Sequence, residues 1–452
     1  MQKNLHIFLA VVATFLYTVP ASLGWITYPS ILHLDGLSEL QNNSGSNSKS
    51  KSGDKLFFTE LIEEFAPELN ANGTAFEPDK APVILWLNGG PGTSSLFGLF
   101  VENGPFKINL QGFLEQRQYA WTMTHSLLYI DNPVGTGFSF TDDARGYSKN
   151  QVDIGTNLFQ GIQQFFRAFP EYAERDFYIA GESYAGKYVP SVCLKIHLEN
   201  RKKGRNHIKI NLKGMMIGSG FFDPLTQNEY GEYLYHMGLI DDNQKVTFLE
   251  KEAQIRDLIE GEEWADATRA VERLIVGDPE TSTSLFQNMT GYSEYLNMLH
   301  SSTPREFRTY VPYLNKPSIR QYIHVGNQPY TRSFSPEVLE NMVEDISKSV
   351  KPWVERLLKE NYRVLIYASQ LDLVVPHTGV QKFISNLDWP GSNQFSRTPR
   401  RPWKVNGEIA GYTKFARNLA YVLVRNAGHV APYDQPLWMY EMINRFTRGS
   451  PF

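Results

Sequence analysis

The chain has 452 residues, 42% hydrophobic and 20% charged, so it can bury a sizeable core and is not globally disordered. Lys+Arg is 44 against Asp+Glu 48, a net charge of −4, without the basic excess usual in a nucleic-acid binder. Its one cysteine, Cys193, allows no internal disulfide and no zinc cluster, and by itself points to a reducing compartment.

The N-terminus argues the other way. Lys3 precedes the apolar run 5–19 (LHIFLAVVATFLYTV), and residues 20–24 close it with small residues ahead of Trp25. That is the layout of a cleavable leader over 1–24. The run is shorter than the ~20 apolar residues of a membrane-crossing helix, so no span is expected. Sequons at Asn42, Asn72 and Asn288 fit a glycosylated chain of the secretory pathway, secreted or held in a lysosome or yolk body. Residues 25–80 form an N-terminal segment. Within it, 42–55 (NNSGSNSKSKSGDK) is too polar to offset its ordering entropy by burial.

From residue 81 short apolar runs recur between turn signals: 83–87, 126–130, 177–180, 214–217, 364–367 and 421–424. Runs of this length suit strands buried on both faces. Between them lie helical patterns, such as 152–169 with Leu158, Ile162, Phe165 and Phe166 on one side. The alternation predicts an α/β domain with a mainly parallel sheet, built from 81–221 and 352–452. Residues 222–351 break it with Glu-, Lys- and Arg-rich helical spacing, which predicts a helical cap insertion. A last helix is expected over 436–446, with Pro436 in its first turn.

The stretch 177–186 (FYIAGESYAG) carries the chemistry. An apolar strand meets a tight turn centred on Ser183 and a helix follows, the setting of a nucleophile elbow. The generic pattern has glycine where Ala185 stands, with Gly186 one place later. A serine needs a base, and the base an orienting carboxylate, in the chain order Ser, Asp, His. Asp372 and His429 follow later strands and fill those places. His377 lies on the same loop as Asp372, and His324 has no strand before it, so both are weaker candidates. The backbone N–H of Tyr184 and the loop 88–92 (NGGPG) supply candidate oxyanion donors.

These stretches resemble the serine carboxypeptidase family, in particular its vitellogenic-like branch. The resemblance rests on WLNGGPGTSS (86–95), FVENGPF (100–106), YIDNPVGTGFSF (129–140), FPEYAERDFYIAGESYAGKYVP (169–190), YIHVGN (322–327), QLD (370–372) and GHVAPYDQP (428–436). It implies an α/β-hydrolase fold with a central mostly parallel sheet and an inserted helical cap. It implies removal of single residues from peptide or protein C-termini, usually in acid, with neither cofactor nor metal. Carried over by motif, the triad is Ser183, Asp372 and His429, and the oxyanion donors are the N–H groups of Gly90 and Tyr184. Asn88, Gly89, Glu102 and Glu182 would grip the substrate carboxylate. Two glutamates there would repel it unless they share a proton.

The chain departs from the family in places. Thr93 stands where cysteine is frequent, and the cysteines near Tyr292 and Leu299 are missing. The N-terminal segment is short, which puts the sheet edge in question. Cys193 reads as a small buried residue. Two other functions compete: an acyltransferase or esterase on the same scaffold, which the retained Asn88, Glu102 and Glu182 disfavour, and a silent yolk or scaffold protein, which the intact triad disfavours.

Overall fold

Apolar runs without a polar face become the middle of a sheet. The computed structural model describes residues 80–204, 206–277, 283–331 and 335–452, and the backbone of 8–12, 15–16, 27–28 and 32–33. The stretch 42–55, Asn42 and Asn72 lie outside the described residues. The main sheet contains β1 (Phe8–Val12), β2 (Leu32–His33), β3 (Val83–Leu87), β4 (Ser126–Ile130), β5 (Phe177–Glu182), β6 (Leu212–Gly218), β7 (Arg363–Ser369), β8 (Arg401–Val405), β9 (Glu408–Ala416) and β10 (Leu419–Val424). Its order is β8-β9-β10-β7-β6-β5-β3-β4-β1-β2.

The inner strands β4, β3, β5, β6, β7 and β10 are parallel to one another. Every residue of β3, β4, β5 and β10 is buried. Their side chains alternate between two cores: Val83, Leu85 and Leu87 enter one, while Ile84 and Trp86 enter the other. The first core is closed by α1 (Gln151–Ala168) and α2 (Ala185–Asn200), the second by the C-terminal helix Pro436–Arg448. The expected runs and both expected helices are therefore present, within a few residues at their ends. Cys193 on α2 is buried, and burial pushes its thiol up, consistent with an apolar filler.

The sheet's antiparallel edge, β8–β9–β10, was not expected. Asn406 and Gly407 join β8 to β9, both at positive φ (50° and 85°), as a two-residue hairpin turn demands. At the other edge, the backbone of β1 lies antiparallel to β4. It falls inside the run read as a leader. Cleavage before Trp25 would leave β4 outermost at this edge among the described residues.

Among the described residues, 222–351 hold helices joined by loops, and side chains from them enclose a third core, which includes Phe248, Ile255, Ala267 and Phe286. Within it, α3 (Asp242–Glu260) starts at a capping box of Asp241 and Gln244. Then come α4 (Trp264–Val271) and, near the end, α5 (Pro336–Ile346).

A buried polar joint ties α5 to the sheet domain. The Lys187 ammonium of α2 donates to the carbonyls of Asp345 (3.1 Å), Ile346 (2.7 Å) and Lys348 (2.5 Å), at the C-terminus of α5. A cation there opposes the negative end of the helix dipole. The Asp345 carboxylate accepts from the Tyr184 hydroxyl (2.9 Å) and the Gln151 side-chain amide (2.5 Å). Burial pushes the Lys187 ammonium down to about 7, partly offset by Asp345 and Asp223.

Candidate active site

Strand β5 ends directly in the turn at Ser183, whose φ is 63°. Backbone bonds hold this left-handed residue in place. Its N–H donates to the Gly218 carbonyl (3.0 Å), and its carbonyl accepts from Gly186 (2.9 Å) and Phe221 (3.0 Å). The elbow is thus anchored to the end of β6. Helix α2 starts at Ala185, which is fully buried where the generic pattern has glycine. Loop 88–92 crosses the elbow closely. A Cβ on Gly89 would lie 2.5 Å from the Tyr184 nitrogen and 2.7 Å from the Glu182 carbonyl oxygen, so no larger residue fits.

Asp372 and His429 come from the loops after β7 and β10, which are neighbours in the sheet. His429 Nδ1 lies 2.8 Å from Asp372 Oδ2. Asp372 Oδ1 accepts the N–H groups of Val374 (3.0 Å) and Val375 (2.9 Å), so both carboxylate oxygens are occupied and the group cannot turn. An Nδ1–H donated to Asp372 makes Nε2 the basic ring nitrogen. The weaker candidates are elsewhere. His377 opens the helix His377–Ser385 and meets the Tyr233 ring edge-on, and His324 sits exposed in a turn.

Ser183, Tyr184 and Gly90 line a cavity of about 590 Å³. Residues 222–351 supply much of its wall, including Tyr230, Thr268 and Tyr295. Its lining is mostly apolar, as in sites that exclude water from a reacting group.

Two buried carboxyls lie beside the elbow. Glu182 precedes Ser183, and Glu102 ends a π-helical turn, Gly98–Glu102. Glu102 Oε1 accepts from Asn88 Nδ2 at 2.7 Å. Asn88 Oδ1 in turn accepts from Trp86 Nε1 (2.8 Å) and the Gly98 N–H (3.0 Å), which fixes which end of the amide donates. Gly98 is required because a Cβ there would lie 2.2 Å from Trp86 Nε1. Glu102 and Glu182 are within hydrogen-bonding reach of each other, and Oε2 of each is buried without a donor from the rest of the protein. The contact is stable only with a proton held between them. Burial pushes the Glu102 carboxyl up to about 7, against hydrogen bonds from Asn88 and Glu182 and the His429 charge. Burial, and then the negative charge of Glu102, hold Glu182 well above the usual carboxylate range.

The structure therefore brings together Ser183, Tyr184, Gly89, Gly90, Asn88, Glu102 and Glu182, and pairs Asp372 with His429. The charge of Asp372 acts on Glu182, and that of His429 on Glu102. Trp86, Gly98 and Asp345 were not singled out from the sequence, although Trp86 and Gly98 fall in or beside motifs that were.

Asn288, on helix Leu285–Thr290, is exposed. Among the described residues no helix is long and apolar enough to cross a membrane.

The family model for serine carboxypeptidases matches residues 46–449. A venom serine carboxypeptidase of Apis mellifera is 45% identical over 380 residues, 83% of this chain and 80% of that protein. A probable serine carboxypeptidase CPVL of Homo sapiens is 42% identical over 90% of this chain and 84% of its own length. A vitellogenic carboxypeptidase of Aedes aegypti is 43% identical, over 82% and 78%. Among solved structures, Kex1(delta)p, a prohormone-processing carboxypeptidase of Saccharomyces cerevisiae, superposes with a TM-score of 0.74 at 24% identity, covering 97% of this chain and 96% of that one. That likeness establishes the α/β-hydrolase fold, and the family model with these relatives establishes that the chain belongs to the serine carboxypeptidase family.

Proposed function

We propose that this carboxypeptidase acts through Ser183, Asp372 and His429, and that Asn88, Gly89, Glu102 and Glu182 hold the substrate's terminal carboxylate. The observation that carries this reading is the pair of buried carboxyls, Glu102 and Glu182, the second directly before Ser183, together with the hydrogen bond of His429 to Asp372. Ser183 Oγ attacks the last peptide carbonyl while His429 Nε2 takes its proton. The oxyanion accepts from the N–H groups of Gly90 and Tyr184. Collapse breaks the C–N bond, and His429 protonates the leaving amine, which departs as a free amino acid. Water, deprotonated by His429, then attacks the acyl group and restores Ser183. The protonated member of the glutamate pair donates to the substrate carboxylate, and the second amide hydrogen of Asn88 is available for the same task. This favours work in acid. Residues 222–351 serve as the cap over a core of 81–221 and 352–452.

N-blocked dipeptides at pH about 5 and about 7 test the reading. The C-terminal amino acid should be released, with the higher kcat/KM at the lower pH. Acyl transfer from esters to alcohols outpacing peptide hydrolysis would overturn it.

We also place the chain in the secretory pathway, with 1–24 removed and Asn42, Asn72 and Asn288 glycosylated. The leader layout and the exposure of Asn288 support this. Protein recovered from a secreting eukaryotic host should begin at Trp25 and lose mass on N-glycosidase digestion. An N-terminus at Met1 or Gln2, or an unchanged mass, would contradict it.

A further inference from the structure

One stretch of the insertion touches the loops of both Asp372 and His429. The Leu296 carbonyl accepts the backbone N–H of His429 at 2.6 Å. The Tyr295 carbonyl accepts from Leu373 (3.2 Å), and the Met298 N–H donates to Leu371 (3.0 Å), so the residues on either side of Asp372 are both held. Asn297 Nδ2 donates to Asp434 Oδ2 at 2.9 Å, and the same oxygen accepts the Gly428 N–H at 2.7 Å. Asp434 therefore joins the insertion to the residue immediately before His429. The fit leaves no slack: a Cβ on Gly428 would lie 2.4 Å from the Leu296 oxygen and 2.5 Å from the Asn297 Cβ.

From these contacts we infer that residues 295–298 form a strap that sets the Asp372–His429 geometry, with Asn297 and Asp434 as positioning residues. Asp372 and His429 sit on separate loops, so the 2.8 Å bond between them depends on how those loops are held relative to each other. The strap binds both. The insertion, besides walling the cavity, thus aligns the base. This deepens the proposed function and rests on its assignment of Asp372 and His429.

The test is steady-state kinetics on Asp434→Ala, Asn297→Ala and Asp434→Asn. A displaced base costs turnover but not binding, because the carboxylate grip is elsewhere. Asp434→Ala should lower kcat about 10- to 100-fold with KM within about threefold. Asn297→Ala should lower kcat in the same direction by less. Asp434→Asn keeps an oxygen that can accept from both Asn297 and Gly428, and should stay within about threefold of the parent. In the double alanine variant the losses should fall short of multiplying, as expected within one network. Circular dichroism identifies any variant that fails to fold, and the Asn297→Ala and Asp434→Asn results then decide. Unchanged kcat in Asn297→Ala, or Asp434→Asn as impaired as Asp434→Ala, overturns the strap. Activity surviving in Ser183→Ala would instead overturn the triad, so the two failures are distinct.

Discussion

Ser183→Ala is expected to lower kcat by at least about 10⁴-fold while leaving KM close to that of the parent. Removing a nucleophile removes the covalent route, and what remains comes from binding and the oxyanion donors. The substitution isolates the hydroxyl cleanly. Alanine keeps the Cβ, and the bonds that hold the φ of 63° are made by backbone atoms to Gly218, Gly186 and Phe221. The elbow should therefore keep its shape, and the Glu102–Glu182 pair should still bind peptide carboxylates. Amino-acid release from a blocked dipeptide, followed by chromatography, measures the loss. Retention of more than about 1% of parent kcat would remove Ser183 from the central role.

The glutamate pair should make KM, more than kcat, the pH-sensitive quantity. Below about 7 the pair holds its proton and can donate to the substrate. As pH rises through that value Glu102 ionises first, its charge holding the Glu182 proton to higher pH, so negative charge builds beside a negative substrate and KM climbs by up to about tenfold per pH unit. Glu102→Gln and Glu182→Gln each supply a permanent donor and remove one charge, so each should flatten the rise, the double variant most. KM–pH profiles superimposing on the parent in all three would refute the assignment.

The same pair acts on stability. The folded carboxyl is raised from 4.5 to about 7, so between those values the folded chain binds more protons than the unfolded one. Its contribution is fully present below 4.5 and is lost as pH rises to about 7. Thermal unfolding of the double Gln variant should accordingly depend less on pH across that window.

The inner sheet and the elbow were legible because their signals are local. A strand covered on both faces reads as an unbroken apolar run, and a nucleophile turn leaves small residues around one serine. The outer hairpin β8–β9 also had a local sign, Asn406-Gly407 between short runs, but β8 alternates buried and exposed residues and lacks a continuous apolar core. The supporting contacts had no such sign. Tyr184 meets Asp345 across 161 residues, and Asn297 meets Asp434 across 137, so neither pairing leaves a spacing to read. Glu102 was reached through motif resemblance. Its approach to Asn88 depends on a π-helical turn that no hydrophobic period reveals.

The joint at Lys187 bears on how far this architecture can be divided. The Lys187 nitrogen makes its hydrogen bonds to the carbonyls of 345, 346 and 348, and removing those partners would leave a buried polar group unsatisfied. Trimming the helices of 222–351, or exchanging them as a cassette, should therefore destabilise the sheet domain at this joint. A chimera with a relative's residues 222–351 would need the backbone of 345–348 to meet Lys187 and a carboxylate at 345 to meet Tyr184 and Gln151. Pocket walls facing Ser183 can diversify, whereas the seam beneath Tyr184 behaves as part of the hydrolase itself.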